Sequence, residues 1–311
     1  MNEVITIGEP MVLFVADTLG NLEDIDHYTK FLAGAEVNVC IGLRRLSHTV
    51  SYITSLGNEP FGRYINKFLN NEGINTDYVK FNPNFPTGFQ IKEKTDAGDP
   101  LVVSFRKGSA AAHIDKEYID GVDLEGVKHL HITGIFPALS DTSKEAAYEL
   151  IRRAKEKGIR ISFDPNLRPK LWKSKDEMIS VINDLASKAD IVLPGVEEGK
   201  ILLGSDDPET IADFYLNLGS KIVIIKTGSK GAFVKTKEES YNVPGFKVEK
   251  VVDTVGAGDG FAVGVISGLL EGLDLKESVI RGNAIGSLQV QTPGDNDGLP
   301  TREQLKNYIG N

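Results

Sequence analysis

The sequence predicts an α/β fold, because strand-like and helix-like patterns alternate along most of the chain. Five short apolar runs rich in β-branched residues have the character of buried strands: 4–7, 127–132, 159–163, 191–193 and 222–225. Amphipathic stretches lie between them, and segment 141–157 carries one apolar helical stripe, formed by Ala147, Leu150, Ile151 and Ala154. Such alternation predicts three layers, in which helices cover both faces of a mostly parallel sheet.

Two segments interrupt this alternation and predict a small antiparallel β-sheet. Residues 11–32 contain "MVLFVAD" and "HYTKFLAG" with no helix between them, and residues 87–106 contain two strand-like runs. A turn at Ala97-Gly98-Asp99-Pro100 separates the second pair of runs. The simpler interpretation is a pair of surface hairpins. We expect instead a lid on a single domain that spans residues 1–311, with its site at the carboxyl ends of the body strands.

Composition narrows the classes of function. The chain has 311 residues, 41 % hydrophobic and 25 % charged, with a net charge of −9 and a pI near 5.2. This balance argues against broad attraction to nucleic acid or to an anionic membrane. Cys40 is the only cysteine, so we expect a buried small hydrophobe and no cysteine-rich zinc site. The apolar run 261–270 is too short for a membrane span, and the acidic N-terminus is unlike a signal peptide. We expect a cytoplasmic protein.

The stretch "DTVGAGDGFAVG", residues 253–264, is the strongest candidate for chemistry. If a helix begins here, the amides of Gly256, Ala257 and Gly258 are among its unpaired first donors, and they form an anion hole at the positive end of the helix. Asp259 then lies in the first turn and can accept a proton from an attacking hydroxyl. The alternative is a glycine-rich helix start whose Asp259 only interacts favourably with the helix dipole.

The common phosphate-binding motifs do not explain this stretch. A Walker A loop requires a glycine five residues before the Gly-Lys pair, and Pro194 stands at that distance from Gly199-Lys200. A dinucleotide fingerprint requires a third glycine at position 261, where the chain has Phe261. Nucleotide binding, if present, therefore uses another architecture.

The stretch "DTVGAGDGFAVG" resembles the D-T-x-G-A-G-D signature of the ribokinase-like (PfkB) carbohydrate kinases. In that family the second aspartate is the catalytic base and the G-A-G amides form the anion hole, which implies these roles for Asp259 and for residues 256–258. The segment "FLAGAEVNVCIGLRRLS" is similar to the family's first signature, G-G-x-x-x-N-x-A. Ala33 replaces the first glycine, whereas Gly34 and Asn38 match and are implied to contact substrate hydroxyls.

The resemblance extends over the whole chain and implies a Rossmann-like (ribokinase-like) α/β body with a β-sheet lid, as well as further partners. It implies ATP as phosphate donor, Mg²⁺, a monovalent cation near the loop that Asp253 shapes, and a homo-oligomer, a dimer or higher, formed through the lid. "IVIIKTGSKGAFV" and "GNAIGSLQVQTPGD" resemble the family's nucleotide-binding segments. The residues implied to line the nucleotide site are Lys226, Thr227, Gly228, Gly231, Gly256, Gly258 and Asn283.

Two more stretches, "SFRKGSAAAHI" and "FDPNLRPKLW", resemble the 2-keto-3-deoxygluconate kinases within the family. The resemblance implies that Arg106 and Arg168 approach the sugar acid, and a guanidinium does match a carboxylate through two parallel hydrogen bonds. The alternative for each arginine is a solvated surface charge. The sequence departs from this group at Gln90 and Ser104, where tyrosines that contact the sugar acid are usual.

One metal-linked motif is incomplete. The family's N-x-x-E motif appears in "LPGVEEGKILLG" with Gly195 at the asparagine position, while Glu198 is retained and is implied to bind a metal through water. None of the five histidines lies in an H-E-x-x-H pattern, and we expect structural roles for all five.

The resulting expectation is ATP-dependent phosphorylation of a terminal hydroxyl of a sugar acid, with 2-keto-3-deoxygluconate as the leading substrate. Gln90 and Ser104 keep a fructokinase or another PfkB sugar or nucleoside kinase open as the alternative. A non-catalytic sugar-binding regulator with the same fold is the alternative from another class.

Overall fold

The computed structural model describes residues 2–95 and 100–310. Most of the turn expected at residues 97–100 therefore lies outside the described residues. The strands within them are β1 Val4–Ile7, β2 Met11–Leu19, β3 Tyr28–Ala33, β4 Val50–Gly57, β5 Val79–Asn82, β6 Phe89–Lys94, β7 Val102–Phe105, β8 His129–Thr133, β9 Arg160–Asp164, β10 Ile191–Val192, β11 Ile222–Lys226, β12 Ala232–Lys235 and β13 Ser240–Val243. The helices within them are α1 Ala35–Arg45, α2 Pro60–Asn71, α3 Lys116–Asp120, α4 Asp141–Glu156, α5 Lys175–Ala186, α6 Val196–Leu203, α7 Pro208–Leu218, α8 Ala257–Leu270, α9 Leu275–Gln289 and α10 Arg302–Ile309.

The large sheet is the centre of the body. Across the described part of the chain its strand order is β13-β12-β11-β10-β9-β8-β1-β4-β5, and the pairs from β11 to β5 are parallel. Strands β12 and β13 extend one edge by antiparallel pairing. The five strands expected from apolar runs are all present and differ from the prediction by at most two residues at an end.

Side chains on the two faces of this sheet form two separate hydrophobic cores. Val4 belongs to the core shared with α1, α8 and α9, whereas Ile5 belongs to the core shared with α4, α5 and α7. Successive residues of a strand point to opposite faces, so each fully buried strand contributes to both cores. The α/β body with helices on both faces is therefore confirmed.

The small sheet has the order β3-β2-β6-β7. Its outer pairs are antiparallel, as expected, while the central pair β2–β6 is parallel. A short 3-10 turn, Leu22–Asp24, connects β2 to β3 where no helix was expected. Phe89 of β6 packs against Phe14 of β2 and against Phe61 of α2, and these ring contacts attach one face of the small sheet to the body. Its action as a lid stays a prediction.

Helix α8 is packed unusually close to α9. A Cβ atom added to Gly264 would lie 2.4 Å from the backbone nitrogen of Gly282, closer than any side chain can approach. Gly268 is similarly close to Ser278, and every residue from 259 to 268 is buried. A helix that is apolar on all sides belongs inside a protein. Gly264 and Gly268 are thus packing residues.

The isolated cysteine and the internal histidines are structural. Cys40 is fully buried, as expected. His129 Nε2 and His131 Nδ1 both hydrogen-bond to Ser162 Oγ, at 2.7 and 2.9 Å. Burial lowers the pKa of His131 to about 4, so this ring is neutral at physiological pH. Within the described ranges, no group of three or more His, Cys, Asp or Glu side chains is placed to hold a metal ion.

No helix in residues 2–95 or 100–310 combines the length and the apolar character required to cross a membrane.

The close contact of α8 with α9 predicts a large effect of one methyl group. We expect Gly264→Ala to lower the free energy of unfolding by about 1–3 kcal/mol, since the added Cβ overlaps backbone that cannot move aside. Urea unfolding followed by circular dichroism measures this loss. Gly121→Ala is the matched control, because its Cβ would meet only Tyr118 O at 3.6 Å. Equal stability of the two variants would contradict the packing role.

Candidate active site

The candidate site is built at the N-terminus of α8, where it meets the carboxyl ends of the parallel strands. Gly256 caps the helix with φ +78°, a left-handed conformation that glycine adopts without strain. The helix begins at Ala257, so Asp259 lies in its first turn, as predicted. The amide of Ala257 reaches Thr254 O only at 3.4 Å, and the first amides of a helix have no partner within it. The helix start can therefore receive an anion.

Asp259 is a buried carboxyl group with fixed orientation. Its Oδ2 accepts a hydrogen bond from Asn38 Nδ2 at 2.8 Å, and its Oδ1 lies 3.4 Å from Asn166 Nδ2. Burial raises the pKa of Asp259 to about 7, with Asp164 adding to the rise and Asn38 opposing it. A carboxyl group with this pKa exchanges a proton near neutral pH, which is the property expected of a general base.

An ammonium group stands beside the helix start. Lys226, the last residue of β11, bonds through Nζ to Asp164 Oδ2 at 2.7 Å, and Asp164 ends β9. A Cβ on Gly258 would lie 3.4 Å from the same Nζ. Burial alone would lower the pKa of Lys226, but the carboxylates of Asp164 and Glu198 outweigh it and raise the pKa. A permanent positive charge thus lies next to the predicted anion hole.

Glu198 is half-buried in the first turn of α6. Its Oε2 accepts from the Gly195 amide at 2.7 Å and its Oε1 from the Leu167 amide at 3.0 Å. Burial raises its pKa, while Lys226 opposes the rise. Each carboxylate oxygen has a second lone pair, so the group can still bind a metal-held water. Mg²⁺ usually keeps several waters and uses one or two protein carboxylates beside phosphates, and Glu198 with Asp164 fits that donor set.

The two arginines expected to hold a carboxylate occupy different environments. The Arg106 side chain is only 8 % exposed and is paired with Glu9: Arg106 Nε donates to Glu9 Oε2 at 2.6 Å, and the Nη2 group of Arg106 contacts the same oxygen. Arg168 is exposed, and its Nη1 donates only locally, to Leu167 O at 2.9 Å. Arg168 nevertheless lies near enough to Asp259 to oppose the rise of its pKa. Arg168 is thus the free guanidinium, and Arg106 has an internal partner.

The remaining predicted substrate contacts lie on α1, next to Asp259, and on the small sheet. Gly34 caps α1 with φ +139°, and Asn38 of α1 reaches Asp259 directly. Gln90 and Ser104 face each other on β6 and β7, and Gln90 Nε2 donates to Ser104 Oγ at 3.0 Å. Lys92 lies two residues further along β6 and therefore on the same face of the sheet as Gln90 and Ser104. Its side chain reaches Asp253 in the loop before α8.

The nucleotide-site candidates follow β11 and lie against α9. Thr227 and Gly231 close a tight turn, with the Thr227 amide bonded to Gly231 O at 2.9 Å. Gly228 has φ +63° and open space within 4 Å of its Cβ position. The Asn283 side chain donates to Val243 O and Pro244 O at 3.2 and 3.1 Å. This amide therefore fixes the end of β13, and its predicted contact with a nucleotide stays a prediction.

Sequence reasoning gave no role to several buried polar residues near the site. Asn296 Nδ2 donates to Asn38 Oδ1 at 3.2 Å, which fixes the amide that serves Asp259. Glu36 accepts from Thr133 Oγ1, and burial raises its pKa to about 7. Glu36 lies two residues before Asn38 in the matched signature. This proximity in the sequence is the one signal that could have placed Glu36 near the site. Asn296 offered none, because only the fold brings it to α1.

Comparison with known proteins identifies the family. Residues 1–302 match the model of the pfkB family carbohydrate kinases. The chain belongs to this family. It is 46 % identical to a 2-dehydro-3-deoxygluconokinase of Bacillus subtilis (strain 168), over 99 % of this chain and 95 % of that protein. It is 30 % identical to a 2-dehydro-3-deoxygluconokinase of Thermoproteus tenax, over 99 % and 94 %.

Solved structures agree with this family assignment. A PfkB protein from Polaromonas sp. JS666 superposes with a TM-score of 0.91 at 46 % identity, covering 98 % of this chain and 99 % of that one. A fructokinase from Vibrio cholerae O395, solved with fructose, ADP and calcium, superposes at 0.88 with 27 % identity and 99 % coverage of both. The expected ribokinase-like fold and the family resemblance are thus confirmed.

The raised pKa of Asp259 predicts a pH-dependent cost to stability. The folded protein binds this proton more tightly than the unfolded chain, so stability is gained below about pH 4 and lost as pH rises towards 7. We expect Asp259→Asn to be more stable than the wild type by an amount that grows from pH 4 to 7 and then levels off. At about 1.4 kcal/mol per pKa unit, the gain is a few kcal/mol. Urea unfolding at several pH values measures it.

The control for this measurement is Asp206→Asn, which makes the same substitution at an exposed position just before α7. A wild-type-like pH profile of stability in Asp259→Asn would contradict the raised pKa.

Proposed function

We propose that this pfkB-family kinase transfers the γ-phosphoryl group of ATP to the terminal hydroxyl of 2-dehydro-3-deoxygluconate, the sugar acid also called 2-keto-3-deoxygluconate. The observation that carries the proposal is Asp259: a buried carboxyl with a pKa near 7, held by Asn38 at the start of α8 and adjacent to Lys226. The 46 % identity to a kinase of this name supports the substrate.

In the proposed reaction Asp259 removes the proton of the substrate hydroxyl. The hydroxyl oxygen forms its bond to the γ-phosphorus as the bond from that phosphorus to the bridging oxygen of ADP breaks. The amides of residues 256–258 and the ammonium of Lys226 stabilise the charge on the transferring group. Thr227, Gly228, Gly231 and Asn283 are proposed to line the nucleotide site. Mg²⁺, when bound, neutralises phosphate charge, and Glu198 would hold it through water.

A second set of residues is proposed to bind and orient the sugar acid. Gly34 and Asn38 are proposed to meet sugar hydroxyls, and Arg168 to meet the carboxylate, because no acidic side chain of the described residues pairs with its guanidinium. Arg106 is proposed to bind the same carboxylate after the substrate displaces Glu9 from it. Gln90 and Ser104, on the site-facing side of the small sheet, offer an amide and a hydroxyl to the sugar. The small sheet is proposed to act as the lid of a single domain.

The exposed apolar edge at β7 of the small sheet is suited to contact with a second chain. Leu101, Val102, Val103 and Phe105 are all more than one-third exposed at this edge. A row of apolar side chains on an unpaired strand edge is suited to pairing with another chain. We propose that a second copy of the protein covers this edge.

Substitution of the base tests the mechanism. We expect Asp259→Asn to lower kcat by about 10²–10⁴-fold, since an amide cannot accept the proton. Coupled-enzyme assay of ADP release measures kcat, and titration calorimetry of the sugar acid shows whether binding survives. The exposed Asp206→Asn serves as control. A rate within a few-fold of wild type would make the base assignment wrong.

A substrate panel tests the specificity. Initial rates with 2-keto-3-deoxygluconate, fructose, ribose and adenosine should favour the sugar acid. Arg168→Gln should reduce kcat/KM for the sugar acid by about 10–100-fold and leave fructose unaffected, because a charged hydrogen bond to a carboxylate contributes about 1.5–3 kcal/mol. The exposed Arg63→Gln is the matched control. Absence of turnover of the sugar acid would overturn the proposed substrate.

Fructokinase activity is the second candidate, favoured by the neutral Gln90–Ser104 pair and by the engagement of Arg106 with Glu9. Higher kcat/KM for fructose than for the sugar acid in the same panel would select it. A non-catalytic regulator is disfavoured by the intact Asp259 site, and any ATP-dependent phosphorylation excludes it.

A further inference from the structure

Lys92 is a buried lysine that the proposed reaction does not use. It lies on β6 of the small sheet with only 4 % of its surface exposed. Its Nζ bonds to Oδ2 of Asp253, the first residue of the loop that leads into α8. The other carboxylate oxygen of Asp253 accepts the amide of Val255 at 3.0 Å. One ammonium thus fixes one carboxylate, and that carboxylate fixes the turn before the anion-hole glycines.

Acidic groups around this ammonium explain its position. Asp295 is buried, and its Oδ1 has no hydrogen-bond partner among residues 2–95 and 100–310. Burial raises its pKa to about 6, with Lys92 opposing the rise. The backbone oxygen of Asp295 would lie 2.3 Å from a Cβ on Gly256, so its loop packs directly on the glycine that caps α8. A positive charge is needed where these acidic loops meet, and Lys92 supplies it.

The family resemblance implies a monovalent cation beside this same loop. The residues present do not fit one, because the carboxylate expected to help place it, that of Asp253, is already bonded to an ammonium. A second cation at Asp253 would have to lie beside the charge of Lys92. An isolated pair of like charges a few ångströms apart in a buried place is strongly unfavourable.

We propose that the Lys92 ammonium is the built-in cation of this loop, which positions the amides of residues 256–258 without an added monovalent ion. Lys92 is a positioning residue: it acts through Asp253 and does not touch the reacting atoms. Because Lys92 belongs to the small sheet, the same bond makes the geometry of the anion hole depend on how that sheet sits on the body. The inference rests on the proposed kinase reaction for its rate measurement and is independent of it for its stability measurement.

The test compares rates in choline chloride with rates in KCl or NH₄Cl at equal ionic strength. The wild type should be unaffected by the change of cation. Lys92→Met should lose at least about tenfold in kcat in choline, since misplacing one anion-hole donor costs about 10²–10³-fold, and should recover several-fold in K⁺ or NH₄⁺. Rescue by an ion distinguishes a cation role from a merely structural one. Wild-type activation by K⁺, or a Lys92→Met variant as active as wild type in choline, would overturn the proposal.

Lys94→Met is the matched control, since Lys94 lies two residues along the same strand, is exposed, and donates to Asp17 O at 2.8 Å. It should behave as wild type. Lys92→Arg retains the charge and should need no added ion.

Thermal unfolding provides a readout that does not depend on activity. The Tm of Lys92→Met should rise when choline is replaced by K⁺, whereas the Tm of the wild type should not change. A K⁺-dependent Tm in the wild type, or none in Lys92→Met, would count against the inference even if the substrate assignment proved wrong. Loss of all kinase activity with this pattern of Tm values intact would instead contradict the proposed function alone.

Discussion

The backbone contact between α8 and α9 is the constraint on which the candidate site depends. Gly264 lets α8 approach Gly282 of α9 so closely that neither helix can rotate or slide without overlap. Since α8 is apolar on all sides, any tilt would also open the core on one face of the sheet. This packing therefore fixes the position of the first turn of α8 at the edge of the sheet. It also places Asp259 and Gly258 beside Lys226.

The electrostatics of the site follow from an excess of buried acids over buried cations. Asp164, Glu198 and Asp259 all influence the single ammonium of Lys226, and that ammonium is bonded to Asp164. Asp259 has only neutral amides, those of Asn38 and Asn166, as its side-chain hydrogen-bond partners within the described residues. Burial therefore raises its pKa further than the Asn38 hydrogen bond lowers it, and a carboxylate with a high pKa is a stronger base than an ordinary one. Arrival of a positively charged or strongly donating group would shift that balance.

Local patterns in the sequence were sufficient for the elements and for the start of α8. The glycines around Ala257, the acidic residue in the first turn and the apolar run that follows them all act within a few residues of one another. Contacts between distant segments were not accessible in this way. Arg106 and Glu9 are 97 residues apart, Lys92 and Asp253 161, and the parallel pairing of β2 with β6 likewise joins separate segments. Periodicity indicates which face of a strand is buried, but it does not indicate which loop that face will meet.

If Arg106 meets the substrate carboxylate as proposed, its pairing with Glu9 also limits which anions can bind there. An unpaired buried guanidinium would bind chloride, inorganic phosphate or any small metabolite acid that reached it. Here such an ion binds Arg106 only if it displaces the Glu9 carboxylate, which Nε and Nη2 of Arg106 already contact. An exchange of one anion for another has little free energy of its own. A ligand completes it only if the rest of the molecule makes further contacts, so the pair converts a general attraction for anions into a requirement for the whole substrate.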